Sequence, residues 1–381
     1  MHRAIVLGND HTNSLGVVQC LGVEGYVTDA YLWGNHTGLV SSSKYINNIF
    51  HCDNPQECIE RLLCNQQSQD NLIPIICCCD SAALAIEQNK LRLSERFIFE
   101  YTNGDYSIEQ LQKKDLQVHI AEQCGLNVPK SLRILSVESV PDEAPFQGPY
   151  IYKPEISLRG AKADITICKT WSDLKAKLIL TFKKYCSSGI SILIQQYIEH
   201  DYELSILGCA KTDGNCIIPA NEDKLTQFPK GVGLECVSNV YELNQDSNLA
   251  QCIRRLIKRI GYVGLFSVEL MHSRNDDKIY FTEINLRNDG ANSFILQYGF
   301  NLPAIHIADL LKIEAPRQAE LRPGFYIWEL HHLQSMKHGD ISKRQWLNDL
   351  KKAKGYLLFR RNDLKPFFRQ LWLLIAPKLH L

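Results

Sequence analysis

"YFTEINLRNDGANSF", residues 280–294, decides how the rest of the chain is read. The segment is apolar and strand-like, yet it carries Glu283, Asn285 and Arg287 at strict alternation. Side chains i, i+2 and i+4 of a β-strand share one face, so these three polar groups project together while Thr282, Ile284 and Leu286 face the other way. A carboxylate beside an amide oxygen chelates a hard cation, and a guanidinium just beyond can grip an anion. The longer stretch "VGLFSVELMHSRNDDKIYFTEIN", residues 263–285, reads as a hairpin with its polar turn at 273–277. That turn sets Glu269 opposite Glu283, and cross-strand neighbours on one face lie about 5 Å apart. Two carboxylates so close are costly unless a divalent cation sits between them. Mg²⁺, or Mn²⁺ in its place, takes one or two carboxylates plus substrate phosphates, so Glu269, Glu283 and Asn285 together imply a nucleoside triphosphate. The competing reading is an edge hairpin whose polar face is merely solvated.

The bulk numbers set the frame. A chain of 381 residues can build two or three packed units, and 45% hydrophobic with 22% charged residues is an ordinary soluble composition. No apolar run approaches the ~20 residues that cross a bilayer. The N-terminus enters a strand without a signal-peptide pattern, so a cytoplasmic location is expected. The fourteen cysteines include the run Cys77, Cys78, Cys79 and no CxxC pair. His51, Cys52, Cys58 and Cys64 match no zinc spacing, and small buried thiols in a reducing compartment are expected. The net charge of zero is unevenly spread. Residues 336–381 hold eleven Lys/Arg against three Asp, a net of +8, which leaves the body at −8.

Along the chain, 3–7 reads as a strand and about 14–21 as a helix, the opening of a doubly wound unit. The turn at Gly8, Asn9 and Asp10 is no GxGxxG fingerprint. Further strands fit 26–31, 45–50 and 72–78, and Asp80 is expected to cap the helix that follows. Ser107 with Gln110 resembles a capping box, and Gly125 a helix stop. "GPYIYKPEISLRGAKADITIC" reads as two strands joined by a basic, Gly-containing loop at 156–162. "SILIQQYIEHDYELSILGCAKTDG" reads as strand, hinge, strand. "SNLAQCIRRLIKRIGY" places Leu249, Cys252, Ile253, Leu256, Ile257 and Ile260 on one helical face before Gly261.

On these motifs the chain resembles the ATP-grasp superfamily over about residues 1–312. Within it the chain is most similar to carboxylate–amine ligases related to the ATP-binding domain of the carbamoyl phosphate synthetase large subunit. The resemblance rests on "GLFSVEL" followed by "YFTEINLR", the family's paired metal-binding strands. It implies an α/β and α+β architecture: a doubly wound pre-ATP-grasp domain at 1–95, a linker helix and first ATP-clamping lobe at 96–190, and a second lobe with the metal site at 191–312; beyond the resemblance, 313–381 reads as a basic, aromatic, helical C-terminal extension. The resemblance implies ATP with Mg²⁺ (or Mn²⁺) held by Glu269, Glu283 and Asn285. Lys114 and Lys153 would hold the nucleotide, with Lys153 on the α/β-phosphates. Gly160, Arg159 and Lys162 stand where the family has its phosphate loop, although one glycine departs from the usual pattern. Gln195, Gln196, Tyr197 and Ile198 would line the adenine at the interlobe hinge, with an acid more usual where Gln195 stands. Glu203 would accept from the ribose hydroxyls. Arg287 and Asn292 would hold the acceptor carboxylate or the reacting phosphoryl group.

The resemblance thus implies an amide-forming ligase acting through an acyl-phosphate on a small-molecule carboxylate and amine. Amino acids, peptides and uronic-acid-containing glycan precursors are candidate substrates. Carboxyphosphate chemistry from bicarbonate and a catalytically silent ATP-binding protein are the alternatives. Nucleic acid is not expected as a partner, because the body is acidic. A homodimer is left open. In the tail, "YLLFRRNDLKPFFRQLWLLIAPKLHL" mixes cations with aromatics, and Pro366 opens a helix with Phe367, Leu371, Leu374 and Ile375 on one face. Two readings compete there: packing on the lobes, which is preferred, and peripheral contact with an anionic inner membrane face.

Overall fold

The computed structural model describes residues 2–65, 72–155, 165–185, 190–229 and 234–375. Near the N-terminus, β1 (Arg3–Asn9), β2 (Val27–Trp33), β3 (Ile46–His51), β4 (Ile73–Cys77) and β5 (Phe97–Ile98) form a parallel sheet in the order β3-β2-β1-β4-β5. Helices α1 (Thr12–Val23), α2 (Pro55–Asn65) and α3 (Asp80–Leu93) make the crossovers. β4 is buried at every residue and β1 at all but its ends, as strands covered on both faces must be. Strand order reverses between β1 and β4, and the crevice at their carboxyl ends is where such sheets take ligands. His11, not the Gly8–Asp10 turn, provides the N-cap of α1. Asp80 does not cap α3 either: Cys79 occupies the cap position, and the Asp80 carboxylate is drawn away to an ion pair with Arg287.

A short strand, β6 (Tyr101–Thr102), leads to two helices. The Ser107–Gln110 capping box is present, but it closes a single turn, α4 (Ile108–Leu111), and α5 (Lys114–Gln123) starts afresh. The first lobe is the antiparallel sheet β7-β10-β8-β9, built from β7 (Ser131–Ile134), β8 (Tyr150–Pro154), β9 (Thr166–Cys168) and β10 (Ile192–Gln196). Helix α6 (Trp171–Lys184) covers it. Ile134, Tyr152, Leu174, Leu178 and Ile194 form a core that belongs to this lobe alone.

The largest sheet holds β11 (His200–Ala210), β12 (Cys216–Phe228), β13 (Leu234–Glu242), β14 (Tyr262–Ser273) and β15 (Ile279–Asn285), in the order β15-β14-β11-β12-β13. Between β13 and β14 lies α7 (Asn248–Ile260), with Cys252, Ile253, Leu256, Ile257 and Ile260 buried. It ends at Gly261, whose φ of 62° is the left-handed conformation a helix stop needs. Two short helices follow β15: α8 (Asn292–Tyr298) and α9 (Leu302–Leu311). The cores of this lobe and of the N-terminal sheet are continuous: Ile86 and Phe97 share one cluster with Leu256 and Phe281, and Leu15 and Val18 share another with Phe294 and Ile307.

The C-terminal extension is more than a helical tail. Strand β16 (Gly324–Ile327) adds to the large sheet beside β13, and β17 (Gly355–Tyr356) adds beside β16. Around them lie α10 (Glu329–His338), α11 (Lys343–Lys352) and α12 (Lys365–Ile375). Phe367, Leu371 and Leu374 of α12 pack against the core that also holds Leu15 and Leu39, as the packing reading expects. Asp363 is 3% exposed and accepts from Gln19 Nε2 (3.0 Å), Ser43 Oγ (2.6 Å) and the Lys44 N–H (3.0 Å). Arg369 Nε donates to the Thr37 carbonyl at 2.8 Å. No helix among the described residues is long and apolar enough to cross a membrane.

Candidate active site

The hairpin β14–β15 has the register its alternation requires. Glu269 pairs with Glu283, and Ser267 pairs with Asn285. A one-residue irregularity follows Glu269, so Thr282 lies outside the ladder and the strand bends there. The same rung runs on through Ser205 of β11 to Glu222 of β12. One sheet face therefore carries Glu283, Glu269, Ser205 and Glu222 in a row, with Glu203 and Lys224 on the next rung.

Each carboxylate of the facing pair holds a lysine. Lys114 Nζ lies 2.9 Å from Glu283 Oε2, and Lys224 Nζ lies 2.5 Å from Glu269 Oε2, which also accepts from Ser205 Oγ at 3.0 Å. Lys114 is held there by the main chain around it. The Gln117 side chain donates to the Ile284 carbonyl (2.9 Å) and accepts from the Ile284 N–H (3.1 Å), which clamps the start of α5 against β15. Lys153, 7% exposed, comes from the other lobe to the same place. Burial and the neighbouring Lys114 ammonium pull its pKa down to about 8, against the attraction of Glu283. Burial alone would raise the Glu283 carboxyl, but Lys114 and Lys153 overcome it and hold the group at about 2. Glu269 moves the other way: burial, then Asp289 and Glu283, push its carboxyl up despite Lys224. The two halves of one carboxylate pair thus sit in opposite fields.

Arg287 and Asn292 are both at this end of the sheet, and both already have partners. Arg287 Nε bonds Asp80 Oδ1 at 3.1 Å, and Arg287 Nη1 lies 3.3 Å from Asp289 Oδ2. Burial works against the guanidinium, yet Asp80 and Asp289 raise its pKa. An anion would meet the Nη2 end of the guanidinium, since Nε and Nη1 are engaged. Asn292 is 2% exposed and donates to Asn288 Oδ1 at 2.8 Å, while its own Oδ1 is buried without a partner among the described residues. The connecting loop is tied to the N-terminal crevice: the Asn288 N–H donates to the Cys77 carbonyl (2.9 Å), and Asn13 Nδ2 donates to the Asn288 carbonyl (3.0 Å).

At the hinge, β10 runs directly into β11. The Gln196 N–H is spent on the Lys130 carbonyl and the Tyr197 N–H on the Pro149 carbonyl, both at 2.8 Å. With these two N–H groups engaged, a base edge at the hinge would fall to other backbone groups near Gln196 and Ile198. Gln195 is 3% exposed and its Nε2 has no partner among the described residues, so that amide is the polar group left over at the hinge. Glu203 accepts from Gln227 Nε2 at 2.6 Å and lies two residue pairs along from Ser205, on the same face as Glu269 and Glu283. Arg159, Gly160 and Lys162 lie outside the described residues.

Sequence reading missed several groups. Lys224, Ser205 and Glu222 project beside Glu269 only because β12 and β11 pair with β14 in this register. Asp289, whose carboxyl is held down by Arg287 despite its burial, also accepts from Ser267 Oγ at 3.0 Å. The E-x-K alternation at 222–224 is the one local sign of a functional face in β12. Among the described residues no three His, Cys, Asp or Glu side chains form a metal cage. Any cation here would rest on two carboxylates, the Asn285 amide and oxygens from a ligand.

The sequence model of the ATP-grasp domain matches residues 120–296, which span the first lobe, the hinge, the hairpin and the start of α8. No curated protein matches the chain. Among solved structures, the chain is similar to N5-carboxyaminoimidazole synthetase from Staphylococcus aureus, with 12% identity, TM-score 0.66, and 89% of this chain and 88% of that one covered. It is similar to an L-amino acid ligase from Bacillus licheniformis, with 14% identity, TM-score 0.60, and 85% and 79% covered. A biotin carboxylase from Campylobacter jejuni, in a complex with a β,γ-ATP ligand, matches with 13% identity, TM-score 0.66, and 84% and 74% covered. Identities this low establish the fold alone, and the fold agrees with the domain match and with the hairpin geometry: residues 120–296 carry an ATP-grasp domain in a chain that has the ATP-grasp fold.

Proposed function

We propose that the protein is an ATP-dependent carboxylate–amine ligase that joins its substrates through an acyl-phosphate and releases ADP and phosphate. The observation that supports this most is the rung pairing Glu269 with Glu283, with Asn285 two residues on and Lys153 reaching the same point from the opposite lobe. The donor set fits Mg²⁺ or Mn²⁺: it is all oxygen, it is half-buried, and burial together with the neighbouring Asp289 and Glu283 carboxylates pushes the Glu269 carboxyl up. Bound there, such a cation would neutralise the β- and γ-phosphates during transfer. Lys114 and Lys153 would hold the phosphates once these carboxylates had other company. Lys224 would meet the charge that develops on the transferred group, and Gln195, Ile198 and Glu203 would hold the nucleoside. Arg287 would take the acceptor carboxylate at its Nη2 end. No side chain need act as nucleophile, since positioning and electrostatics supply the acceleration. In this reading residues 1–95, 96–190, 191–312 and 313–381 act as crevice, first lobe, second lobe and brace.

The test is a phosphate-release screen of paired acids and amines, with product mass determined for each hit. The likeness to an L-amino acid ligase puts amino acids and dipeptides first, followed by uronic acids. Substrate-dependent ADP release that vanishes in Glu283→Ala supports the reading. ADP release stimulated by bicarbonate without any organic acid points instead to carboxyphosphate chemistry. Tight ATP binding with no turnover across the panel points to a silent nucleotide-binding protein. Peripheral membrane contact through α12 belongs to the same proposal, because Phe368 and Trp372 are 58% and 49% exposed on the outer face of a basic helix. Equal vesicle co-sedimentation of the parent and Phe368→Ser/Trp372→Ser would end it.

A further inference from the structure

The C-terminal extension borders a cavity of about 590 Å³ against α1 and α8, within the size range of small-molecule sites. Its lining is strongly cationic. Arg322, Lys351, Lys354, Arg360 and Arg361 all border it, and among the described residues none forms an ion pair. The carboxylate that borders it, Asp363, is already occupied by Gln19, Ser43 and the Lys44 N–H. Glu329, the other acid near Arg360, is likewise taken, by the N–H groups of Leu358 (3.2 Å) and Phe359 (2.6 Å).

Arg360 makes the site more than a basic surface. Its Nη2 is anchored on the Ser293 carbonyl of α8 at 2.6 Å, but its buried Nε has no acceptor among the described residues. A buried donor without a partner is destabilising, more so on a charged group, unless something completes it. The floor around it is rigid. Gln297 of α8 donates to the Ser293 and Tyr356 carbonyls at 3.0 Å and accepts from the Tyr356 N–H at 3.2 Å. Tyr45, Tyr356 and Phe359 supply aromatic walls.

We propose that this cavity binds a small polyanion, a molecule carrying two or more phosphoryl groups, gripped by the Arg360 fork and by the mobile ends of Lys354 and Arg361. A single carboxylate would leave most of the five positive charges unmatched, whereas two phosphoryl groups bring three or four negative charges at hydrogen-bonding geometry. The site shares no lining residue with the groove beside the hairpin, and it does not depend on the ligase reading. Because the residues before α8 carry Arg287 and Asp289, a ligand held by Arg360, which bonds the Ser293 carbonyl of that helix, also has a short path to those two groups.

The test is isothermal titration of the full-length protein with inorganic pyrophosphate. Four proteins are compared: the parent, Lys354→Gln/Arg361→Gln, Lys153→Gln to remove binding at the hairpin, and Arg254→Gln/Lys258→Gln to take the same charge from α7. Lys354 and Arg361 are exposed, so the first pair leaves the core intact. The proposal expects at least a tenfold loss of affinity in Lys354→Gln/Arg361→Gln, and little change in the α7 pair or in the binding that survives Lys153→Gln. It is overturned if the first pair binds like the parent, if the two charge-matched pairs lose affinity equally, or if Lys153→Gln alone removes all binding.

Discussion

Glu283→Gln tests the electrostatics of the hairpin in the absence of any ligand. A carboxyl held at about 2 rather than 4.5 has its charged form stabilised by ~3 kcal/mol. The Glu283 side chain keeps 28% exposure, so solvent screening trims this to about 2 kcal/mol. Glutamine preserves shape but leaves Lys114, 12% exposed, and Lys153, 7% exposed, facing each other without a counter-charge. The sign follows from linkage. A depressed carboxyl contributes stability that is whole above about 4.5 and is lost as pH falls through about 2. Urea unfolding at pH 7 should therefore show Glu283→Gln less stable than the parent by about 2 kcal/mol, and the gap should close as the titration is repeated from pH 4.5 downward. A variant as stable as the parent at pH 7, or a gap unchanged at pH 3, would show that Glu283 is not the counter-ion of the two lysines.

Three further outcomes follow from the same geometry. Burial lowers Lys153 to about 8, so its charged form is penalised below that pH in the free protein; a bound triphosphate should reverse this, and ATP binding at pH 8 should take up about half a proton. Heats of binding that do not vary among buffers of different ionisation enthalpy would contradict it. Lys224→Met strands the Glu269 carboxylate, 17% exposed, at a cost of ~3–5 kcal/mol, and the loss in thermal midpoint should shrink as pH falls and the Glu269 carboxyl, already pushed up by burial, takes a proton. A pH-independent deficit would assign the loss to packing. Asp363→Ala leaves three donors without their acceptor and should cost about 2–4 kcal/mol in chemical denaturation, whereas a change under about 0.5 kcal/mol would mean that the extension is only loosely attached.

How far the sequence could be read depended on whether a signal was local. The hairpin at 263–285 and helix α7 announce themselves through period and punctuation, because strand alternation and a glycine stop are written in neighbouring residues. Lys224 was invisible for the opposite reason: its contact with Glu269 exists only once β11 has paired with both β12 and β14. Asp80 looked like a helix cap because capping is a local preference, yet Arg287, far along the chain, competes successfully for its carboxylate. The strands of the C-terminal extension escaped because they are short, four residues in β16 and two in β17, so few residues carry the pattern. Arg287 shows a limit of assigning roles by position alone, since its place matches the motif while its guanidinium is engaged by two acids of the protein.

The most direct measurement is Mn²⁺ binding, followed by electron paramagnetic resonance, with a non-hydrolysable ATP analogue present and absent. The parent should bind Mn²⁺ tightly only with the nucleotide, and Glu269→Gln/Glu283→Gln should lose that binding while remaining folded. A double variant that captured the Mn²⁺–nucleotide pair as well as the parent does would contradict the account at its centre.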